Sequence, residues 1–447
     1  LMPRGLPEEN PYMKSTVFCF LIFLLVSLLS ISAFAVDDIG VFEMDGNAQE
    51  GDVSGYYDWE TLHKGGGMPM VFTDVVHDHG GASIFEGGRK DILDIDQWRW
   101  KTGSVPDKDD ITHAYAVAYM CETDIPPADI LPDGPLQGEE CGAGDVVAYF
   151  GADRLSNTGD AFLGFWFFKD VVRLNDNGTF DGMHQEGDIL VLVNFPQGSN
   201  SSPEIRAVEW QPACAKADKN PLPGDCVAKN LALVYEGVVC GTQASDDACA
   251  IANSGTEMAP WDYIAKTPES GCGSAYCFPY ESFFEGGVNL SRLLGEGMDT
   301  CFASFMAETR SSSSFTATLK DFVLREFPLC AVELGKNCGT GVYDPDTDKL
   351  VIPYSVTVEN TGSASVSEVI ATDDLCGTGS EVITFGPLAA GESDTFDGNC
   401  EISYLDFSPP LINAVSAVAD EGDVPVFLAD SCAAGANPDA CYDACSY

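Results

Sequence analysis

The sequence predicts an all-β protein, a large jelly-roll-like β-sandwich followed by an immunoglobulin-like β-sandwich. Three observations carry that prediction. The composition favours strands and turns, with 45 Gly and 25 Pro beside many Ser, Thr, Val and Phe. Apolar or alternating runs are short and are bounded by turn residues. Beyond residue 35, no long apolar stripe recurs at helical spacing. Hydrophobic residues make up 45% of the chain, enough for a sizeable core.

Residues 1–12, Leu1–Tyr12, are polar and proline-bearing and read as upstream sequence outside the fold. Residues 13–35 read as a secretory signal peptide. Lys14 gives the positive start, Val17–Ile31 the apolar core, and Ala33-Phe34-Ala35 the cleavage signature. That core is too short, and too abruptly followed by Val36-Asp37-Asp38, for a membrane anchor, so an exported chain beginning at Val36 with no membrane span is expected. Its abrupt end, Cys441–Tyr447, reads as that of a fragment.

The large sandwich is expected over residues 36–330. Strands are predicted at Asp145–Phe150 and at the aromatic run Ala161–Lys169. Val171–Leu174 and Thr179-Phe180 flank Asn177-Gly178, a hairpin signature. Asp188–Phe195 is nearly all apolar, as a central strand buried on both faces must be. Glu204–Trp210 and Leu231–Val239 follow, and Phe315–Leu324 alternates as a closing strand. The second sandwich is expected over 331–447, with strands at Leu350–Val358, Ser365–Ala371, Glu381–Phe385, Ser393–Phe396 and Asn413–Ala419 and a turn at Asp373-Asp374.

Tyr354-x-Val-x-Val-x-Asn360-x-Gly362, Asp373-Asp374-Leu375, Leu388-Ala-Ala-Gly391-Glu392-Ser393 and Asn413–Val418 resemble the Ig-like conserved repeat domain of bacterial and archaeal surface proteins. The resemblance implies a spacer or stalk with no catalytic residues. Phe42–Asn47, Asp96–Trp100, Phe150–Arg154, Gly159–Trp166, Phe283–Leu290 and Cys301–Ser312 resemble a group of large uncharacterised exported bacterial proteins. That second resemblance implies location rather than chemistry.

Seventy acidic residues against 22 basic ones give a formal charge of −48. Nucleic acid is excluded as a partner, because phosphate binding needs clustered Lys and Arg. The charge reads either as a solvated coat or as a source of oxygen ligands for calcium. Asp344-Pro-Asp346-Thr-Asp348 begins like a calcium loop, but Lys349 stands where that loop needs Gly and Ser355 where it needs Glu; a looser interdomain calcium site is the alternative to a polar connector. Asp91, Asp94 and Asp96 with Asp107, Asp109 and Asp110 form a second candidate, provided a sandwich rim gathers them; the alternative is solvated turns.

Of 17 cysteines, Cys19 leaves with the signal and an even number remains, as a disulfide framework requires. Short-range spacing suggests Cys121/Cys141, Cys214/Cys226, Cys240/Cys249, Cys272/Cys277 and Cys376/Cys400. His77-Asp78-His79 offers two imidazoles to a transition metal, but only five histidines exist. Trp98 and Trp100 share a face if strand-borne, either as an exposed stacking platform for a sugar or as core. Glu308 and Arg310 read as an ion pair on one strand face, and Trp166 as core.

No Gly-x-Ser-x-Gly, His-Glu-x-x-His or phosphate loop is present. The function expected is therefore a non-enzymatic adhesion or binding role at the cell surface or in a matrix, with calcium and a glycan or another surface protein as ligands. The alternatives are a structural sheath component and an extracellular polysaccharide hydrolase, which needs only two suitably spaced carboxylates.

Overall fold

A computed structural model describes residues 42–50, 57–67, 69–78, 83–121, 145–197, 204–237, 240, 247–268, 276–295, 300–362, 365–373, 381–403, 412–419, 426–428 and 443–446. The expected signal peptide and the segment before it lie outside them. Among the described residues no helix is long and apolar enough to cross a membrane.

The first unit is built on two antiparallel sheets. One has the order Val71–Phe72, Ile111–Met120, Val146–Arg154, Phe283–Asn289, Ala248–Ala252, with Val76–His77 also pairing to Ile111–Met120. The other runs Cys226–Ala228, Leu231–Gly237, Glu204–Trp210, Ile189–Phe195, Ala161–Phe168, Ser304–Arg310, Leu319–Glu326, Ile84–Phe85, Trp100–Lys101. Small residues of the first sheet, such as Ala114, Ala116, Ala118 and Ala152, meet Phe165, Phe167, Val191 and Phe305 of the second in the central core. Alternating side chains point the other way, and here they do not meet water. Tyr115, Tyr119 and Tyr149 lie under Phe42 and Trp59, while Trp166, Phe168 and Trp210 lie under Trp98 and Phe180. Both sheets are thus buried on both faces, the outer ones roofed by irregular chain. The Ile189–Phe195 strand sits centrally, as its unbroken apolar run requires.

Leu319–Glu326 is not the closing strand that its alternation suggests. It lies between Ser304–Arg310 and Ile84–Phe85, so a further edge is added beyond it. The turn expected at Asn177-Gly178 is present, with Gly178 at φ 83° between Arg173–Leu174 and Phe180–Asp181.

The second unit begins at Val332–Cys338, which pairs with Lys349–Asn360 and lies parallel to Val426–Leu428. Val342–Asp344 and Ser393–Ser403 complete that sheet. The facing sheet has the order Glu381–Phe385, Val369–Asp373, Ile412–Ala419, Asp443–Ser446. Val356, Val358, Val369, Ala371 and Phe385 fill the space between them. The described residues form an all-β architecture of stacked antiparallel sheets, and no barrel is found among them.

Disulfides join Cys214 to Cys226, Cys240 to Cys249 and Cys301 to Cys330, the last a pairing that short-range spacing does not reveal. Cys121, Cys277 and Cys338 are disulfide-bonded as well. Cys141, Cys272 and Cys376 lie outside the described residues, so the pairs expected for them are not described; Cys400 is buried.

Candidate metal centre at the rim of the large sandwich

Two acidic groupings read from the sequence are dissolved by the fold. Asp344, Asp346 and Asp348 do not lie between the units but form the hairpin turn joining Val342–Asp344 to Lys349–Asn360. The turn uses their carboxylates itself: Asp344 accepts the Asp346 N–H at 3.0 Å and the Thr347 hydroxyl at 2.8 Å, and Asp348 accepts the Tyr343 hydroxyl at 2.8 Å. The Thr347 hydrogen bond is the main reason the Asp344 carboxyl lies below its usual range.

The runs at 91–96 and 107–110 do not come together on one rim. Asp91 is buried against Arg310, 2.9 Å away. Asp94 accepts from Gln97 at 3.3 Å, and Asp96 gives its carbonyl to Arg99. Asp107 is ion-paired with Lys266, and Asp109 lies 3.8 Å from Lys108. Only Asp110 enters an acidic cluster, and its companions are Asp78 and Asp321.

That cluster is assembled at the junction of the two sheets. Asp110 stands just before Ile111–Met120, and the Ile111 N–H donates to Asp321 Oδ2 at 2.8 Å, tying the first sheet to Leu319–Glu326 of the second. The Thr309 hydroxyl donates to the Asp109 carbonyl at 2.6 Å and accepts the Asp321 N–H at 3.1 Å, which fixes the same corner. Asp78 follows Val76–His77, its N–H bonded to the Thr112 carbonyl at 2.9 Å. One carboxylate oxygen from each of Asp78, Asp110 and Asp321 lies within 4.8 Å of the others.

Asp321 is 1% exposed, whereas Asp78 and Asp110 are half-buried. Burial, then the charges of Asp78 and Asp110, push the Asp321 carboxyl up to about 8, and burial raises Asp110 as well. Burial lowers the Arg325 pKa, and the charge of Asp78 opposes that shift. Three hard oxygen donors from three chain segments match the donor set of calcium, which completes its shell with carbonyls and water. Thiolate or imidazole-loving metals fit less well. His77 stacks edge-on against His113 at 4.7 Å, and His113 Nδ1 bonds Asp153 at 2.9 Å, so that pair belongs to an internal network with Trp261; His79 lies outside the described residues.

The sugar platform is corrected. Trp98 is fully buried, edge-on to Phe85 and Phe180. The 3-10 turn at Ile95–Gln97 rolls the chain into the core before the strand begins at Trp100, so strand parity does not relate the two rings. Trp100 is half-buried and spends its indole N–H on the carbonyls of Asn175 and Thr179, each at 3.1 Å.

Sequence reasoning reached Asp110, met Asp78 only as the centre of a histidine motif, and missed Asp321. The available signal was an acid two positions before Val323, at an inward-facing site of a strand.

No protein-family model and no curated protein matches the chain. Among solved structures it is similar to one described as ApaA from Bordetella pertussis, at 20% identity and a TM-score of 0.15, covering 21% of this chain and 86% of that one. A likeness that low carries no argument about fold or function.

Proposed function

We propose that this chain is an exported surface or matrix component with a non-enzymatic binding role, in which calcium held by Asp78, Asp110 and Asp321 fixes the rim of the large sandwich and the second sandwich serves as a spacer. The carrying observation is that three carboxylates from separate segments converge within 4.8 Å. The disulfides support an oxidising setting outside the cytosol. The charge of −48 favours cations and neutral or basic partners over nucleic acid. With Trp98 in the core, a glycan would be bound elsewhere than at Trp98 and Trp100, and another surface protein is the alternative partner. A hydrolase is disfavoured by the position of Asp321, the most perturbed acid of the cluster, which a polymer does not reach at 1% exposure.

The test is thermal unfolding of the purified protein with calcium and then with excess chelator. Saturating calcium is expected to raise Tm by roughly 5 °C, since a ligand bound only to the folded state stabilises it. Asp321→Asn is expected to lose a distinct part of that rise. An identical calcium response in variant and wild type would end this reading.

A further inference from the structure

Two alternating runs of the second sandwich end on charged residues that meet in its core. In Val332–Cys338 the buried, inward positions are Val332, Leu334 and Lys336, and in Val369–Asp373 they are Val369, Ala371 and Asp373. The first strand belongs to one sheet and the second to the facing sheet. Strand parity therefore brings an amine and a carboxyl together inside the core that Val356 and Val415 help to fill. Lys336 Nζ is in direct contact with Asp373 Oδ2, and both side chains are fully buried. Tyr354 closes the site, with its ring centre 4.9 Å from Nζ and its hydroxyl donating to Glu381 Oε2 at 2.5 Å. Glu381 stands directly opposite Asp373 in the ladder. The Tyr354 ring fills the space over its own ladder partner Gly398, where a Cβ would stand 2.6 Å from a ring carbon.

Lys266 with Asp107 and Lys349 with Glu401 are also in contact, but those side chains are between 42% and 53% exposed. Water solvates both charges there and, as the product of any condensation, holds such pairs in the ionic state. In the core of the second sandwich neither condition applies. A dry site disfavours separated charge, so a proton passes readily between two groups in contact. The amine left by that transfer is a nucleophile, as desolvated lysines are, and the carboxyl carbon lies one bond beyond the oxygen it touches. Reactants held in such a geometry behave as if present at on the order of 10⁵ M or more.

We propose that Lys336 and Asp373 condense to an amide, an isopeptide cross-link between the two sheets of the second sandwich. The ion pair is the state from which the bond forms. Nζ bonds to Cγ, the Cγ–Oδ2 bond breaks, and two of the three ammonium protons leave with Oδ2 as one water. No electrons change hands, so the step needs no oxidant and no cofactor. The product is neutral, which relieves the core of two charges. It also follows closely on the Cys301–Cys330 disulfide, and unlike that bond it withstands reductant. The chemistry stands on the buried pair alone; only its use, as reinforcement of a spacer, rests on the function proposed above.

The test is peptide mass spectrometry on the full-length protein, purified in chelator, then reduced, alkylated, denatured and digested with trypsin and a protease that cuts after Glu. The expected product is branched, with Leu334–Lys349 joined to Val369–Glu381, one water lighter than the two together and uncut after Lys336. Lys336→Arg keeps the cation but has no amine that condenses, and it should yield unlinked peptides only, as should Asp373→Ala. Unlinked Leu334–Lys336 from the wild type, without the branched product, overturns the proposal. A branched product joining Lys336 to any other carboxyl overturns it as well. The wild-type digest decides even if both variants fail to fold. A link found in chelator, in a protein whose Tm ignores calcium, would leave this proposal standing and remove the calcium rim; a calcium response without the link would do the reverse.

Discussion

Buried acids are compensated differently in the two units. In the second sandwich, Asp373 ends Val369–Asp373 and is ion-paired with Lys336, both side chains fully buried, and the Lys336 ammonium also lies 4.9 Å from the centre of the Tyr354 ring. In the roof of the large sandwich, the charges acting on Asp58 and Glu285 are those of other acids, and N–H groups of Gly46 and Trp59 hydrogen-bond to them. The second sheet of the large sandwich is intermediate: Arg310 lies 2.9 Å from Asp91 and 3.7 Å from Glu308, so one guanidinium serves two carboxylates. Burial and then Asp91 hold the Glu308 carboxyl well above its usual range, against the pull of Arg310, as expected where two acids share one cation and a proton. Gly164 belongs to the same arrangement, because a Cβ there would stand 2.6 Å from Glu308 Oε1. A side-chain cation makes a site self-sufficient, whereas its absence makes the fold depend on protons or metal.

The largest effect is expected where the internal cation is removed. Lys336→Met takes the Lys336 cation from the buried Asp373 and should cost about 3–5 kcal/mol, read as a lower midpoint in urea. Calcium should not restore that loss, because one carboxylate is a poor site for it. Substantial rescue by calcium would erase the distinction between the two units.

An intermediate effect concerns pH. Burial and then neighbouring charges raise the Asp58 carboxyl to about 9 and the Asp321 carboxyl to about 8, against 3.8 for both when unperturbed. The folded state therefore holds protons that the unfolded chain releases. The associated stability is fully present below pH 4 and is lost as pH rises through the folded-state values. For His113, burial opposes charge but Asp153 and Asp262 outweigh it, so its pKa is raised and its contribution has the same sign. Without metal, Tm should fall between pH 5 and 8, even in about 0.5 M salt where general repulsion is screened. Saturating calcium should remove the Asp321 part of that slope and leave the Asp58 and histidine parts. A metal-free Tm that climbs with pH would contradict the assignment.

Much of the architecture was legible and the centres were not, for one physical reason. Ile189–Phe195, Glu204–Trp210 and Glu381–Phe385 announce themselves locally, as apolar or alternating runs between turn residues. Phe283–Asn289 does not, because Gly286 and Gly287 break the pattern. Those glycines answer to distant neighbours, since a Cβ would stand 2.7 Å from the Phe150 ring and 3.0 Å from Met44. Ile111–Met120 alternates alanine with Tyr115, Val117 and Tyr119 rather than apolar with polar residues, which hides it equally well. Acidic centres are more remote still: the Ile111–Asp321 hydrogen bond spans 210 positions. Local spacing shows what a segment can form by itself, and a site gathered from several segments leaves no such trace.

The same reasoning sets the smallest expected effect. Asp-x-Asp-x-Asp at 344–348 has calcium-like spacing, yet Asp and Asn favour turns because their side chains bond the backbone two residues on, which is how Asp344 bonds the Asp346 N–H. An amide oxygen makes that bond almost as well as a carboxylate. Asp344→Asn should therefore shift Tm by about 1 °C or less and leave the calcium response intact, since the hairpin lies at the surface and solvent screens its charges. A calcium response diminished by Asp344→Asn, and preserved in Asp321→Asn, would return the metal to the sequence-local motif and make the buried acids a matter of protons alone.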